Sequence, residues 1–460
     1  MCSQLSLVNV ATGTETLVGP ASGAIGVWSW SPDGGRILFA GDETQTWQTD
    51  WFVLHVASGQ VRRLTDDLAF LPDAGYPTVV PPSQPVWLDG RRALVNATRA
   101  GSSGLYEVDT DTGETTMVHD SRGTRSGLSV DDARRWVVQG AAGMDITGEV
   151  AVFDRQSGTE RIVTALQSAL LAKAPPAVWE RLTVERGGSA TEAWLLFPPD
   201  FDPARRYPVI LDVHGGPNGY YGYAFNGTQQ TLAGAGFLVV YANPRGSGSY
   251  GRAFTQAVIQ DWGGEDYLDL MAVLGEVLVR PYADAGRTGI YGYSYGGYMT
   301  SWAIGQSDRF AAAVCGAPCF DLESFYGTSD IGHVFGELQF GGQAHVNPEW
   351  YATHSPSQFA HRVTTPTLIV HGEADDRCPI GQGEQMFVAL QKAGCEVEFA
   401  RYPGGSHMML RNGPAEHRAD YLGRVLGWFQ DHLGAERTTP VGSAASSGSL
   451  GGAARSGVTT

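Results

Sequence analysis

The chain has 460 residues and a formal net charge of -17 at pH 7. Without a basic stripe to neutralise phosphates, that balance excludes nucleic acid and anionic membrane as partners, and the length allows two domains. No apolar run reaches the 18 or so residues of a membrane span, and Met1 to Thr12 lacks the basic start and apolar middle of a signal peptide, so a cytoplasmic protein is expected. Five cysteines (Cys2, Cys315, Cys319, Cys378 and Cys395) are sparse for this length and fit a reducing compartment. Cys315 and Cys319 read as core thiols rather than metal ligands, because no His or Asp partner stands at ligand spacing.

The first 165 or so residues repeat. Hairpin-like units run from Leu5 to Val18, Trp51 to Leu64, Gly104 to Val118 and Val150 to Val163, each around a turn glycine: Gly13, Gly59, Gly113 and Gly158. Those glycines recur about every 45 to 55 residues, the period of four-stranded propeller blades. An inner-strand signature precedes three of them, at Trp28 to Phe39, Val86 to Val95 and Leu128 to Val137. Residues 1–170 are therefore predicted to form a partial all-β propeller, with about three blades plus one hairpin. A closed ring normally takes about four to eight blades, so the chain is expected to begin in the middle of one, as a truncated gene. If the half-propeller is genuine, its edge needs another chain to cover it. Its open apolar faces then make a homo-oligomer the expected state.

Residues 175–434 read as an α/β unit with a doubly wound mixed sheet. A hairpin over Trp179 to Glu185 and Glu192 to Phe197 comes first. Strands are then predicted at Val209 to Val213, Phe237 to Ala242, Gly289 to Tyr291, Ala312 to Cys315, Thr367 to Val370 and Val397 to Tyr402, with helices between, the last spanning Ala415 to Leu433. The Ser, Gly, Ala and Thr tail over 435–460 is predicted to be disordered.

Chemistry-bearing residues fall at the ends of these strands. Gly292, Tyr293, Ser294, Tyr295, Gly296 form a G-x-S-x-G turn between a strand and a helix, the context that exposes a serine nucleophile. With 61 glycines in the chain, about one accidental match to that pattern is expected, so the assignment rests on the order of the elements downstream. The strand ending at Gly372 delivers Asp375 and Asp376 at its exit, where a carboxylate can orient an imidazole. Alternate residues of an extended exit point to opposite faces, so only one of the two can do so. The strand ending at Tyr402 opens into a loop presenting His407. Ser, Asp, His is the chain order of α/β-hydrolases. His214, Gly215, Gly216, Pro217, after an earlier strand, supply a turn whose N–H groups can face a developing oxyanion beside the N–H of Tyr295. The aromatic run Tyr220, Tyr221, Tyr223, Phe225 either lines a pocket or packs under a loop.

Propeller-like repeats ahead of such an α/β-hydrolase domain resemble the prolyl oligopeptidase family of serine peptidases. The likeness is strongest to its acylaminoacyl-peptidase branch, through HGGP at His214 to Pro217, NPRGSGSYG at Asn243 to Gly251, DWGGEDYLDL at Asp261 to Leu270, GYSYGGYM at Gly292 to Met299 and HGEADDRCPI at His371 to Ile380. The resemblance implies Ser294 as nucleophile, Asp375 as carboxylate, His407 as general base, Gly216 and Tyr295 as oxyanion donors, and Arg377 as a ligand of a substrate carbonyl. Arg377 also reads as an ion-pair partner for Asp376. Where prolyl-specific and dipeptidyl members place a tyrosine that serves the oxyanion hole, this chain has His214, so the hole is expected to rest on backbone groups.

The leading expectation is a serine peptidase acting on short peptides through an acyl-enzyme, an acylaminoacyl- or oligopeptidase, with no metal or organic cofactor. A carboxylesterase using the same triad is the alternative within the same chemistry. A binding protein with a propeller module and a vestigial hydrolase is the alternative outside it.

Overall fold

The computed structural model describes residues 5–18, 23–43, 47–66 and 83–434. Cys2 and the tail expected over 435–460 lie outside them.

The N-terminal repeats form antiparallel sheets. Strands Leu5–Val8 and Glu15–Val18 make a hairpin. Three four-stranded meanders come after it: Ala24–Trp30, Arg36–Asp42, Asp50–His55 and Gln60–Arg63; Val86–Trp87, Arg92–Arg99, Ser102–Asp109 and Thr115–Asp120; and Thr124–Val130, Trp136–Ala142, Glu149–Asp154 and Thr159–Ile162. Their recurring turns have a common chemistry. Asn9, Asp109 and Asp154 each accept a hydrogen bond from the N–H two residues ahead, at 2.9, 2.9 and 3.0 Å. The glycine four residues on then takes a positive φ (69°, 81° and 70°), which suits glycine and reverses the chain. Apolar residues fill the space between neighbouring sheets. Val18 of the hairpin packs with Ile37, Phe39 and Phe52, and Val27, Leu38 and Trp51 with Val95 and Val108. Leu94 and Leu105 pack with Val137 and Phe153.

The second unit is built on eight strands: β1 (Trp179–Arg186), β2 (Ser189–Leu196), β3 (Tyr207–Val213), β4 (Leu238–Asn243), β5 (Ala283–Tyr293), β6 (Ala312–Gly316), β7 (Thr367–Gly372) and β8 (Val397–Tyr402). Their order in the sheet is β1-β2-β4-β3-β5-β6-β7-β8. The pairs β1/β2 and β2/β4 are antiparallel, and the remaining pairs are parallel. Alternation along the buried strands decides the layers. Val209 and Leu211 face the side covered by α2 (Glu265–Leu278), α3 (Tyr295–Gln306) and α5 (Gly381–Lys392). Ile210 faces the side covered by α1 (Gly227–Gly234) and α6 (Ala415–Leu433). A short helix, α4 (Gly332–Gln339), lies between β6 and β7 in the chain.

This is an α/β-hydrolase sheet preceded by partial-propeller sheets, and the two halves touch directly. The Ala100 and Gly101 N–H groups donate to the Ser249 carbonyl and hydroxyl at 2.7 and 3.1 Å, Arg252 pairs with Asp50 at 2.9 Å, and Trp47 stacks edge-on against Phe335 of α4. Among the described residues, no helix is long and apolar enough to cross a membrane.

Phe429, fully buried on α6, anchors that helix to the sheet. Phe429→Ala is expected to lower the unfolding free energy by about 3–5 kcal/mol, measured as a urea midpoint that falls while the slope holds.

Candidate active site

Four parallel strands, β3, β5, β7 and β8, end on one edge of the sheet, and the candidate residues sit just past their ends. At the end of β5, Ser294 adopts φ 64°, ψ -121°, a conformation a residue with a side chain holds only where its surroundings leave no other. Those surroundings are backbone. The Ser294 N–H donates to Gly316 O at 2.9 Å, and its carbonyl accepts from Tyr298 N at 2.9 Å to start α3. The chain closes so tightly here that a Cβ on Gly292 would lie 2.3 Å from Gly296 O, one on Gly296 2.2 Å from Val213 O, and one on Gly297 2.3 Å from Gly316 O.

The Asp and His loops are stitched together at the ends of β7 and β8. Glu373 N donates to Tyr402 O and Ala374 N to Gly405 O, both at 2.9 Å. Buried Asp375 thereby meets His407: Oδ2 lies 2.8 Å from Nδ1, and His407 Nε2 lies 3.0 Å from Ser294 Oγ. The other carboxylate oxygen of Asp375 accepts the N–H groups of Arg377 and Cys378 at 3.0 and 2.8 Å. Asp376, one residue on, is exposed. Tyr293 donates its hydroxyl to His407 O at 3.2 Å, which ties the histidine loop to the end of β5.

The loop after β3 leans on the serine, since a Cβ on Gly215 would come within 3.5 Å of Ser294 Cβ. Gly216 is the next residue of the same loop. Tyr295 is the first residue of α3, so its N–H has no acceptor within the helix. The His214 side chain is turned inward: Nε2 meets Ser247 Oγ at 2.9 Å and Nδ1 meets Gly215 O at 2.8 Å. Burial pulls its pKa down to about 4, so the imidazole is neutral near pH 7.

Arg377 does not pair with Asp376. Its guanidinium holds Asp330, with Nε 2.8 Å from Oδ1 and a terminal nitrogen 3.2 Å from Oδ2. The reason is directional: Asp375 turns inward, Asp376 turns to solvent, and the side chain of Arg377 reaches instead to the segment before α4. The Tyr220 to Phe225 run packs rather than lining a cleft beside Ser294. Tyr221 stacks edge-on with His214 and Tyr241, Tyr223 with Trp179 and Trp194, and Tyr220 reaches Thr98 of the second propeller sheet.

Three neighbours of Ser294, Asp375 and His407 were not among the site residues expected from the sequence. His371, buried beneath Asp375, donates from Nε2 to Cys378 O at 2.7 Å, and burial lowers its pKa. Buried Asp266 on α2 accepts the Tyr295 hydroxyl, and burial pushes its pKa up to about 7. Cys378 Sγ lies 3.9 Å from Ser294 Oγ and 3.4 Å from Cys319 Sγ. The acidic spacing in DWGGEDYLDL was the one available hint for Asp266.

A half-buried serine on a tight strand-to-helix turn, with an imidazole and a carboxylate in hydrogen-bond reach of one another and carried on this sheet, is the arrangement of the α/β-hydrolase class. Residues 223–436 match the prolyl oligopeptidase family. Among curated relatives, an uncharacterized peptidase YuxL of Bacillus subtilis is 43% identical over 247 residues, which cover 54% of this chain and 38% of that protein. Dipeptidyl-peptidase 5 of Porphyromonas gingivalis is 27% identical across 92% of this chain and 70% of its own. The acylaminoacyl peptidase of Pyrococcus horikoshii superposes with a TM-score of 0.82 at 27% identity, covering 95% of this chain and 67% of that one. The chain thus spans well under half of the Bacillus protein and about two thirds of the other two.

A Cβ on Gly296 would meet a backbone oxygen that cannot move away cheaply. Gly296→Ala is expected to cost about 3 kcal/mol or more, read as a lowered urea midpoint. A variant as stable as the parent would mean that the turn is looser than these close approaches require.

Proposed function

We propose that the chain is a serine peptidase that hydrolyses short peptides through an acyl-enzyme on Ser294. The observation that carries this reading is the continuous relay from Ser294 Oγ to His407 Nε2 and from His407 Nδ1 to Asp375, at 3.0 and 2.8 Å. In that reading His407 takes the hydroxyl proton as Ser294 attacks the scissile carbonyl, and later returns it to the leaving amine. Asp375 fixes the tautomer that leaves Nε2 free to accept, and it stabilises the imidazolium that forms. Its second oxygen, held by two backbone N–H groups, keeps the carboxylate from rotating away.

The oxyanion is assigned to the N–H groups of Gly216 and Tyr295. His214 is unsuited to that task, since both its ring nitrogens are engaged inside the protein. Arg377 is assigned to a substrate carbonyl. Its ion pair with Asp330, whose side chain is 43% exposed, would aim the guanidinium. Peptides are favoured over simple esters by the family match and by the relatives named as peptidases. A blocked amino terminus is the favoured substrate feature, because an acylaminoacyl peptidase matches the fold across nearly the whole chain.

Ser294→Ala is expected to abolish turnover, by about a million-fold as for other triad nucleophiles, and to remove labelling by a fluorophosphonate probe. Retention of a tenth of the parent rate would reject the assignment. Rates on acyl-alanyl, free dipeptidyl, prolyl and simple ester substrates separate the peptidase readings from an esterase.

Asp375→Asn is expected to cut turnover roughly ten-thousand-fold through the wrong imidazole tautomer, and Asp376→Asn to leave it near the parent value. Steady-state rates of the two purified variants check this, and the opposite ranking would move the role to Asp376.

A further inference from the structure

Cys319 lies three residues beyond β6, and Cys378 three residues beyond Asp375. The fold brings these two thiols, 59 residues apart, to 3.4 Å between sulfurs, both free and both buried. Cys378 is also joined to the triad geometry at three points. Its Sγ lies 3.9 Å from Ser294 Oγ, its N–H holds Asp375 Oδ1 at 2.8 Å, and its carbonyl accepts from His371 at 2.7 Å.

We propose that Cys319 and Cys378 are a covalent modification site: an oxidisable dithiol whose closure to a disulfide switches the Ser294 site off. The switch rests on the reading of Ser294 as nucleophile.

A disulfide brings its sulfurs to about 2.05 Å, so closure draws this pair together by well over an ångström. Cys319 has little freedom to move, because the N–H groups of Phe320 and Asp321 are both clamped by Gln382 Oε1, at 2.8 and 2.9 Å. The movement therefore falls on Cys378. Its sulfur leaves Ser294, and its N–H is pulled from the carboxylate that orients His407. With a peroxide as oxidant, the sulfur of Cys378 attacks the O–O bond, giving a sulfenic acid and one water. The Cys319 sulfur then displaces the hydroxyl as a second water, forming the S–S bond. Two electrons and two protons leave the thiols. A reductant such as dithiothreitol reverses the step by exchange. Both sulfurs are buried but lie beside the half-buried Ser294, so the oxidant has to be a small one. Burial raises the Cys378 pKa well above the ordinary thiol range, which slows its reaction with an oxidant.

The test uses the full chain, reduced and then treated with hydrogen peroxide or diamide. Non-reducing peptide mapping should find Cys319 joined to Cys378. The fluorophosphonate labelling rate of Ser294 should fall by about tenfold or more, part of the roughly ten-thousand-fold that loss of the orienting carboxylate costs. Dithiothreitol should restore the rate. Cys319→Ser and Cys319→Ala, paired so that one misfolded variant does not decide the matter, should label at the parent rate and ignore the oxidant. Cys395→Ser should respond as the parent does. A chain that labels when reduced but never yields the joined peptide overturns the dithiol. A joined peptide with unchanged labelling overturns the switch, as does inactivation that persists in the Cys319 variants. A reduced chain that fails to label overturns the Ser294 reading itself and the switch with it.

Discussion

The turn at Ser294 is the constraint on which the rest of the site is built. A serine at φ 64° costs of order 1–3 kcal/mol, and the cost is met by packing that leaves no room for a second solution. Backbone from the ends of β3, β5 and β6 meets there without intervening side chains, which is why glycines stand at 292, 296 and 297. Because Gly296 lies against Val213 O, the β3 exit loop cannot drift from the serine. Because Ser294 N–H is bound to Gly316 O, the β6 exit cannot either. The loop that carries Gly216 and the segment that carries Cys319 are thus placed by the same close approach that exposes the hydroxyl.

Asp375 is the second fixed point, and it is fixed by donors rather than by sterics. It accepts two backbone N–H groups and one imidazole. Beneath it a neutral His371 binds the Cys378 carbonyl and so braces the same turn. Hydrogen bonds of this kind to a buried carboxylate stand in for the water it has lost. The His407 loop is longer and more open. It borrows rigidity from the Ala374 to Gly405 bond and from the Tyr293 hydroxyl.

Much of this was legible in the sequence because it is local. Strand ends and the turns carrying Ser294, Asp375 and His407 each occupy a short window, and the N-terminal repeats are signalled by the turn glycines 13, 59, 113 and 158. Boundaries failed where two requirements compete. The helix after Ser294 begins at once, at Tyr295, although Gly296 and Gly297, demanded by close packing, suppress the helical signal there. Strand β5 begins at Ala283 rather than Gly289: its register shifts near Pro208 and Val209 of β3, and the Asp284–Arg287 ion pair interrupts the apolar run. Contacts between distant windows left no local trace. Arg377 chose Asp330, 47 residues away, over its neighbour Asp376. The Cys319–Cys378 pair and the Arg252–Asp50 bridge are likewise properties of the fold rather than of any short stretch.

The join between the two halves shows how the propeller sheets bear on the site. Asp50 is nearly inaccessible and is flanked by Arg63 and Arg252, yet desolvation still pushes its pKa up to about 6. By linkage, a carboxyl whose folded pKa is raised favours folding most below the ordinary carboxylate range, and that contribution is lost as pH rises through about 6. At neutral pH the ionised cluster therefore adds little net adhesion and acts mainly by direction, a bridge that is correct in only one register. The Ala100–Gly101 turn on Ser249 makes the same register with uncharged bonds. The consequence reaches the serine through α4. Trp47, between two strands of the first four-stranded sheet, packs on Phe335, Phe335 packs on Trp262, and Trp262 packs on Tyr295, the residue next to Ser294. An aromatic column thus runs from the propeller half to the turn that holds Ser294, and the segment just ahead of α4 supplies Asp330 to Arg377. Phe335 of α4 and Asp330 just ahead of it thus link the N-terminal sheets to the placement of Arg377.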